Sequence, residues 1–357
     1  MARSTPPTPT KPTPIKRPSN NLNGCLQAFI GLLLLLGTVG LVWWIASRWD
    51  PNGGVSTTDP GSIDNQEAVD QSDSPTFSRE EQARKNALRQ RRENLRVDNR
   101  FLVRLTDQLF YGQFPEREGI PLSDRPEDDN MRAEWDSIAA EVLDVLEAHL
   151  SPKARQQLGN YTAEDRDQWR QQVNQRNVGS RALYDLADAK FTYLYPQNAT
   201  QNFIEQPIGQ IWHGLADDRV KAILANERLQ EIQFEQGRFS QSLRDRLEPG
   251  EGRIYIINLS EGQLMRLNLQ ASEQSTRLSL YVPNPTDETP YLLEDSIERT
   301  WSGQLPQSGY YEIVVVSAQN VSLDYALDVG ADNISSSPTE PPATPPTEPE
   351  ELPRDRN

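Results

Sequence analysis

The sequence predicts a multi-domain α+β chain in which a single-pass transmembrane helix is followed by an all-α helical domain and then an antiparallel β-sandwich. Three observations carry that expectation. Residues 25–47 form a run of 23 residues without a charge, long enough to span a bilayer as a helix. Apolar residues then recur at the 3.6 spacing of amphipathic helices over residues 76–235, and at a spacing of two over residues 236–330. The expected organisation is therefore a basic, disordered Pro/Thr-rich cytoplasmic tail (1–24), the membrane helix (25–47), a flexible linker (48–75), a helical domain (76–235), a sandwich (236–330) and a disordered, acidic, Pro-rich tail (331–357).

Direction in the membrane follows from charge. Arg3, Lys11, Lys16 and Arg17 precede the uncharged run, and Asp50, Asp59, Asp64 and Glu67 follow it. The positive-inside rule then puts the N-terminus in the cytoplasm and the later domains on the periplasmic or extracytoplasmic side, of a bacterial inner membrane or a thylakoid. Trp43, Trp44 and Trp49 suit the outer headgroup region. The competing reading, a cleaved signal peptide, fits poorly, because this apolar run is longer than a signal core and lacks a small-x-small cleavage site at its end.

Composition excludes several classes. A formal charge of -16 is wrong for a protein that neutralises phosphates along a nucleic acid. One cysteine, Cys25, allows neither an internal disulfide nor a four-cysteine metal site. Only His149 and His213 are available for imidazole chemistry.

Within the helical span, Ser78 and Glu81 read as a capping box at the start of a long helix. Leu88, Leu95, Leu102 and Leu109 recur every seven residues, but Arg91 and Asp98 occupy alternate seam positions, so only half of a coiled-coil interface exists. Nine basic residues against four acids over residues 79–104 give a local charge of +5. That stretch is either a surface for anionic partners or a solvated face of ion pairs, and the second is preferred. Trp135, Ile138, Val142, Leu143, Leu146 and Leu150 form the apolar stripe of a further helix. Ser151-Pro152 opens a short one, stopped at Gly159. Thr162 with Asp165 caps the next, and Ser180 begins another whose stripe is Leu183, Leu186, Ala187, Phe191 and Leu194. Residues 206–224 read as two short helices broken near Asp217. His213, beside Asp217 and Asp218, invites an acid-base role but reads better as a packed histidine. His149, near a helix C-terminus, is explained by the helix dipole.

In the last third, Met265, Leu267, Leu269 and Ala271, then Leu278, Leu280 and Val282, then Leu323, Tyr325, Leu327 and Val329 alternate with polar residues. The stretch YYEIVVV at 310–316 is apolar on both faces, as a central strand should be. Turns at Pro249-Gly250, Glu261-Gly262, Pro283-Asn284-Pro285 and Ser308-Gly309 separate the runs. With Gly262, Leu267, Leu280, Gly303, Leu305, Gly309 and Tyr311 at turn and core positions, residues 236–330 resemble the bacterial pre-peptidase C-terminal (PPC) domain, a small β-sandwich appended to secreted enzymes and surface proteins. The resemblance implies an auxiliary module. Because some such domains bind calcium or polymers, it draws attention to the loop holding Asp287, Glu288, Glu294, Asp295 and Glu298, although the ligand spacing fits no calcium site and a solvated acidic loop is preferred.

No nucleophile elbow, zinc-protease helix motif, P-loop or kinase motif set occurs. No catalytic, cofactor-binding or metal residue is assigned, and no cofactor is expected. The expected function is that of a non-catalytic, membrane-anchored envelope protein whose exported domains bind another protein or a surface polymer. The alternatives are an accessory or sensory subunit of a membrane signalling complex, and a hydrolase using carboxylates alone in the helical region. That last reading requires a cleft with a perturbed carboxylate pair.

Overall fold

A computed structural model of the chain describes residues 77–199, 202–272 and 275–333. The expected N-terminal tail, membrane helix and linker lie outside the described residues, as does the C-terminal tail beyond residue 333. Every element labelled below lies in one compact unit, which among the described residues runs over 77–115 and 124–333.

Among the described residues seven α-helices come first: α1 (Arg79–Leu95), α2 (Asn99–Gln113), α3 (Asp129–His149), α4 (Pro152–Gln157), α5 (Ala163–Asn174), α6 (Ser180–Leu194) and α7 (Gly209–Leu224). The capping serine of α1 acts as expected, its Oγ accepting from Glu81 N at 3.1 Å. The other half of the box does not form. Glu81 is instead buried against α3, where both carboxylate oxygens accept from Arg132, at 2.7 and 3.0 Å. The leucine heptad does not run along one helix either. Arg96 takes a left-handed conformation and ends α1, and Asp98 caps α2 by accepting from Phe101 N at 2.8 Å. The basic face of α1 is met by acids of α3, with Arg91 paired to Asp144 and Glu147, and Lys85 and Arg84 to Asp136. This is the ion-paired reading, realised between helices as well as within one.

Residues 206–224 depart from expectation. α7 is one continuous helix through Asp217, because Asp217 and Asp218 both pair with Lys221 on the next turn, at 2.7 and 3.0 Å. Nothing in the sequence between Gly214 and Leu224 breaks a helix, and Ile211, Trp212, Leu215, Val220 and Ile223 give it a buried stripe.

Among the described residues nine strands follow: β1 (Leu229–Glu231), β2 (Ser240–Leu247), β3 (Gly252–Leu259), β4 (Leu264–Gln270), β5 (Thr276–Tyr281), β6 (Leu293–Ser296), β7 (Thr300–Gln304), β8 (Gly309–Ser317) and β9 (Leu323–Asp332). They form two sheets, in the orders β1-β3-β8-β5-β6 and β2-β9-β4-β7. Pairing is antiparallel except that β1, inside the span expected to be helical, runs parallel to β3. Between the sheets lies a core built from the alternating residues named above, Leu267, Leu278, Leu280, Leu327 and Val329 among them. β8 is the central strand of the five-stranded sheet. Tyr311, Ile313 and Val315 face the sandwich core, while Val314 and Val316 join the helical core together with Ile254 and Ile256 of β3.

The expected fold class is corrected accordingly. Helices and sandwich belong to one compact unit, in which the helices share a core with the outer face of the five-stranded sheet while a second core lies between the two sheets. Among the described residues no helix is long and apolar enough to cross a membrane, so a spanning helix is no part of the observed fold. The longest, α3, carries Asp136, Glu141, Asp144 and Glu147 along its length, charges that hydrocarbon does not accommodate.

Candidate functional site

The seam between α6 and the five-stranded sheet holds Lys190, Glu251 and Glu312, three of the buried charged residues of the fold. α6 lies close to the sheet because Gly252 opens β3 without a side chain. A Cβ there would stand 2.5 Å from Leu186 Cδ2 and 2.7 Å from Val316 Cγ1. At the helix N-terminus, Gly179 N donates to Glu312 Oε2 at 2.8 Å. One turn further on, Tyr281 Oη donates to Asp185 Oδ2 at 2.8 Å. At the far end, Glu251 receives Lys190, Arg219 and Arg228 at 3.4, 2.9 and 2.8 Å.

Two cavities flank the Tyr281–Asp185 bond. The larger, of about 710 Å³, is lined by Asp185, Asp188, Tyr193, Arg277, Glu294 and Asp295 among others. Burial pushes the Asp185 carboxyl up to about 7, against the opposing hydrogen bond from Tyr281. Asp188 is also raised, again chiefly by desolvation, although Trp212 Nε1 donates to it at 2.6 Å. Asp295 holds a positive φ of 42°, with its amide donating to Ser279 Oγ at 3.1 Å and its carboxylate 3.8 Å from Arg277. Four carboxyls thus face one guanidinium across the same space, a setting that favours a cationic group.

The smaller cavity, of about 490 Å³, is lined in part by Tyr281, Val282, Pro283, Pro290, Tyr310 and Glu312. Glu312 is only 7% exposed. Burial pushes its carboxyl up to about 7, opposed by the Gly179 amide and reinforced by the charge of Asp185.

The residues weighed from the sequence are placed apart from one another. His213 is 3% exposed, with Nδ1 donating to Gly209 O at 2.7 Å and Nε2 3.4 Å from Arg166. Its ring stacks at 6.0 Å on Tyr161, and burial holds its pKa below the ordinary value. It is a packed histidine, and Asp218 is turned away from it, accepting from Ser151 N and Oγ at 2.7 and 2.6 Å. His149 closes α3 but is not held as a cation: burial first, then Lys190, lowers its pKa. Of the acidic loop, Glu294 and Asp295 line the larger cavity, whereas Asp287, Glu288 and Glu298 are exposed elsewhere. Among the described residues no group of three or more His, Cys, Asp or Glu is placed to hold a metal ion.

Asp185, Asp188, Tyr281 and Glu312 were not singled out by sequence reasoning. A signal for two of them exists. Glu312 is the one charge within the apolar run 310–316, and Asp185 stands beside Leu186 at the edge of a buried helix stripe.

No family model matches the chain. It is 27% identical over 270 residues to serine/threonine-protein kinase-like protein E of Synechocystis sp., an alignment covering 71% of this chain and 42% of that protein. The chain therefore spans less than half the length of this curated relative. Among solved structures, Aeromonas hydrophila PliG, a periplasmic lysozyme inhibitor of g-type lysozyme, aligns with a TM-score of 0.26 at 20% identity, over 29% of this chain and 96% of that one. The pre-peptidase C-terminal domain of collagenase from Bacillus anthracis aligns with a TM-score of 0.22 at 16% identity, over 28% and 93%.

Proposed function

We propose that this chain is a non-catalytic binding module of the sensory or accessory kind, related to a non-catalytic part of a kinase-like protein, and that it receives a basic side chain of a protein partner in the larger cavity beside α6. The observation that carries the reading is the set of four carboxyls facing Arg277 across about 710 Å³. The likeness to the kinase-like protein supports the signalling context. The chain has no glycine-rich loop with a strand lysine, no HRD and no DFG, so what it shares with that relative does not include those catalytic motifs.

The test compares two variants of the full chain that remove the same charge. One neutralises the cavity with Asp188→Asn, Glu294→Gln and Asp295→Asn; the other neutralises the exposed acids with Asp287→Asn, Glu288→Gln and Glu298→Gln. Binding of an oligo-arginine peptide, followed by fluorescence anisotropy, is expected to weaken by about tenfold in the first and to hold in the second. Equal weakening in both would reduce the interaction to general acidity and sink the reading.

A second reading rests on one observation. Asp185, pushed up to about 7 by burial, shares its cavity with three further carboxyls, the setting of a general acid beside a second carboxylate in hydrolysis by carboxylates alone. It expects measurable turnover on a panel of chromogenic glycosides and its loss in Asp185→Asn. No turnover by the unaltered chain would end it.

A further inference from the structure

The smaller cavity holds a feature that the packing of α6 does not require. Anchoring the helix needs one acceptor for Gly179 N, and Glu312 Oε2 supplies it at 2.8 Å. A glutamine carbonyl would serve equally without a charge to bury. The chain instead places a carboxyl there, 7% exposed, and desolvating a carboxylate is costly unless a donor compensates it. Among the described residues no hydrogen bond reaches the second oxygen, Oε1, although the side chain lines a cavity of about 490 Å³.

The surroundings define what would fit. Val282, Pro283 and Pro290, with the rings of Tyr281 and Tyr310, give apolar and aromatic walls. Two guanidiniums also lie on the lining, but each is engaged: Arg170 pairs with Asp167, and Arg181 lies 3.6 Å from Glu294 and over the ring of Tyr291. Glu312 is the one carboxylate on this lining and, among the described residues, its Oε1 accepts from none, so the cavity offers an acceptor that a positively charged hydrogen-bond donor meets best. We infer that this cavity is a binding site for a primary ammonium group carried on a compact apolar or aromatic body, with Glu312 Oε1 as its acceptor and the prolines and tyrosines as its walls.

The test uses benzylamine and its neutral isostere benzyl alcohol, titrated calorimetrically into the full chain at about pH 8, where a carboxyl raised to about 7 is ionised. The amine is expected to bind at least about tenfold more tightly than the alcohol. Glu312→Gln, which keeps the Gly179 acceptor, should erase that preference, whereas the triple variant of the larger cavity should retain it. A second readout needs no variant. The carboxyl carbon of Glu312, followed by NMR, should titrate at lower pH when benzylamine is present, because the ammonium favours the ionised form. Equal affinity for amine and alcohol, a preference that survives Glu312→Gln, or a titration unmoved by benzylamine would each overturn the assignment.

Discussion

At Glu312 the folded protein holds a proton that the unfolded chain has already released, since burial pushes its carboxyl from the ordinary 4.5 up to about 7. A raised carboxyl contributes stability that is fully present below its unfolded pKa and is lost as pH rises through the folded value. The loss therefore accumulates between about pH 4.5 and 7 and then levels off, amounting to about 3 kcal/mol for this group at 1.36 kcal/mol per unit. Asp185 acts in the same sense, up to about 7, and Asp107 up to about 6. His149 and His213, both lowered by burial, act in the opposite sense as pH falls below about 6.5. The clean measure is a difference: Glu312→Gln should gain about 3 kcal/mol relative to the unaltered protein between about pH 4.5 and 7.5, read from urea melts. A constant difference across that range would show that Glu312 ionises normally. The opposite case is Glu81, lowered chiefly by its hydrogen bond with Arg132. Its contribution is present above the unfolded value and lost as pH falls through the folded one. Arg132→Ala leaves that carboxylate buried without its main partner and is expected to cost about 3 to 5 kcal/mol at neutral pH. A cost under about 1 kcal/mol, the range of exposed pairs, would contradict this.

Among the elements, the placement of α6 is decided by a glycine. Gly252→Ala forces a methyl group against Leu186 Cδ2 and Val316 Cγ1 and should destabilise by about 1 to 3 kcal/mol. In a Leu186→Ala background the same change should cost markedly less, and a double-mutant cycle in urea measures the coupling. Additive effects would mean that the clash is relieved elsewhere. Local signals of this kind explain which elements were legible in the sequence. Ser151, Thr162 and Asp165 cap helices where their residue types require it, and the period-two runs became the strands that sandwich a core. Single-letter patterns misled where a tertiary partner competed. Glu81 left its capping box for Arg132, Asp98 became a cap and divided the leucine heptad, and Asp217 stayed helical because Lys221 lies one turn away. The candidate site was less legible than the fold. Its carboxyls come from α6, β8 and the β6 edge, segments far apart in sequence that only the packing of a helix on a sheet brings together. Asp98→Ala should nonetheless cost about 1 kcal/mol as the loss of an N-cap, with amide exchange over residues 99–102 as the readout. Unchanged protection there would indicate that tertiary packing alone sets the start of α2.

Across the whole molecule, the five-stranded sheet is buried on both faces, and this binds the fate of the helices to that of the sandwich. Ile254, Ile256, Val314 and Val316 belong to the helical core while their strand neighbours Tyr255, Ile257, Ile313 and Val315 belong to the other. Each such side chain contributes about 1.5 to 3 kcal/mol when buried. Removing the sheet would therefore take from the helices an amount comparable with the whole stability of a domain, about 5 to 15 kcal/mol. It would also strip the acceptors from Gly179 N and Lys190 and the donor from Asp185. A fragment of residues 76–235, which the sequence presents as a helical domain, is accordingly expected not to hold a fixed tertiary structure by itself. Near-ultraviolet circular dichroism of that fragment should lack the signals of Trp169 and Trp212, which are packed in the intact protein. The intact protein should lose far-ultraviolet helical signal and tryptophan fluorescence in one coincident urea transition. A fragment that melts cooperatively, together with two separate transitions in the intact chain, would show that the shared core couples the two layers less tightly than its burial implies. In that case ligand binding at the α6 seam would report on helix docking, since docking would then be an equilibrium of its own.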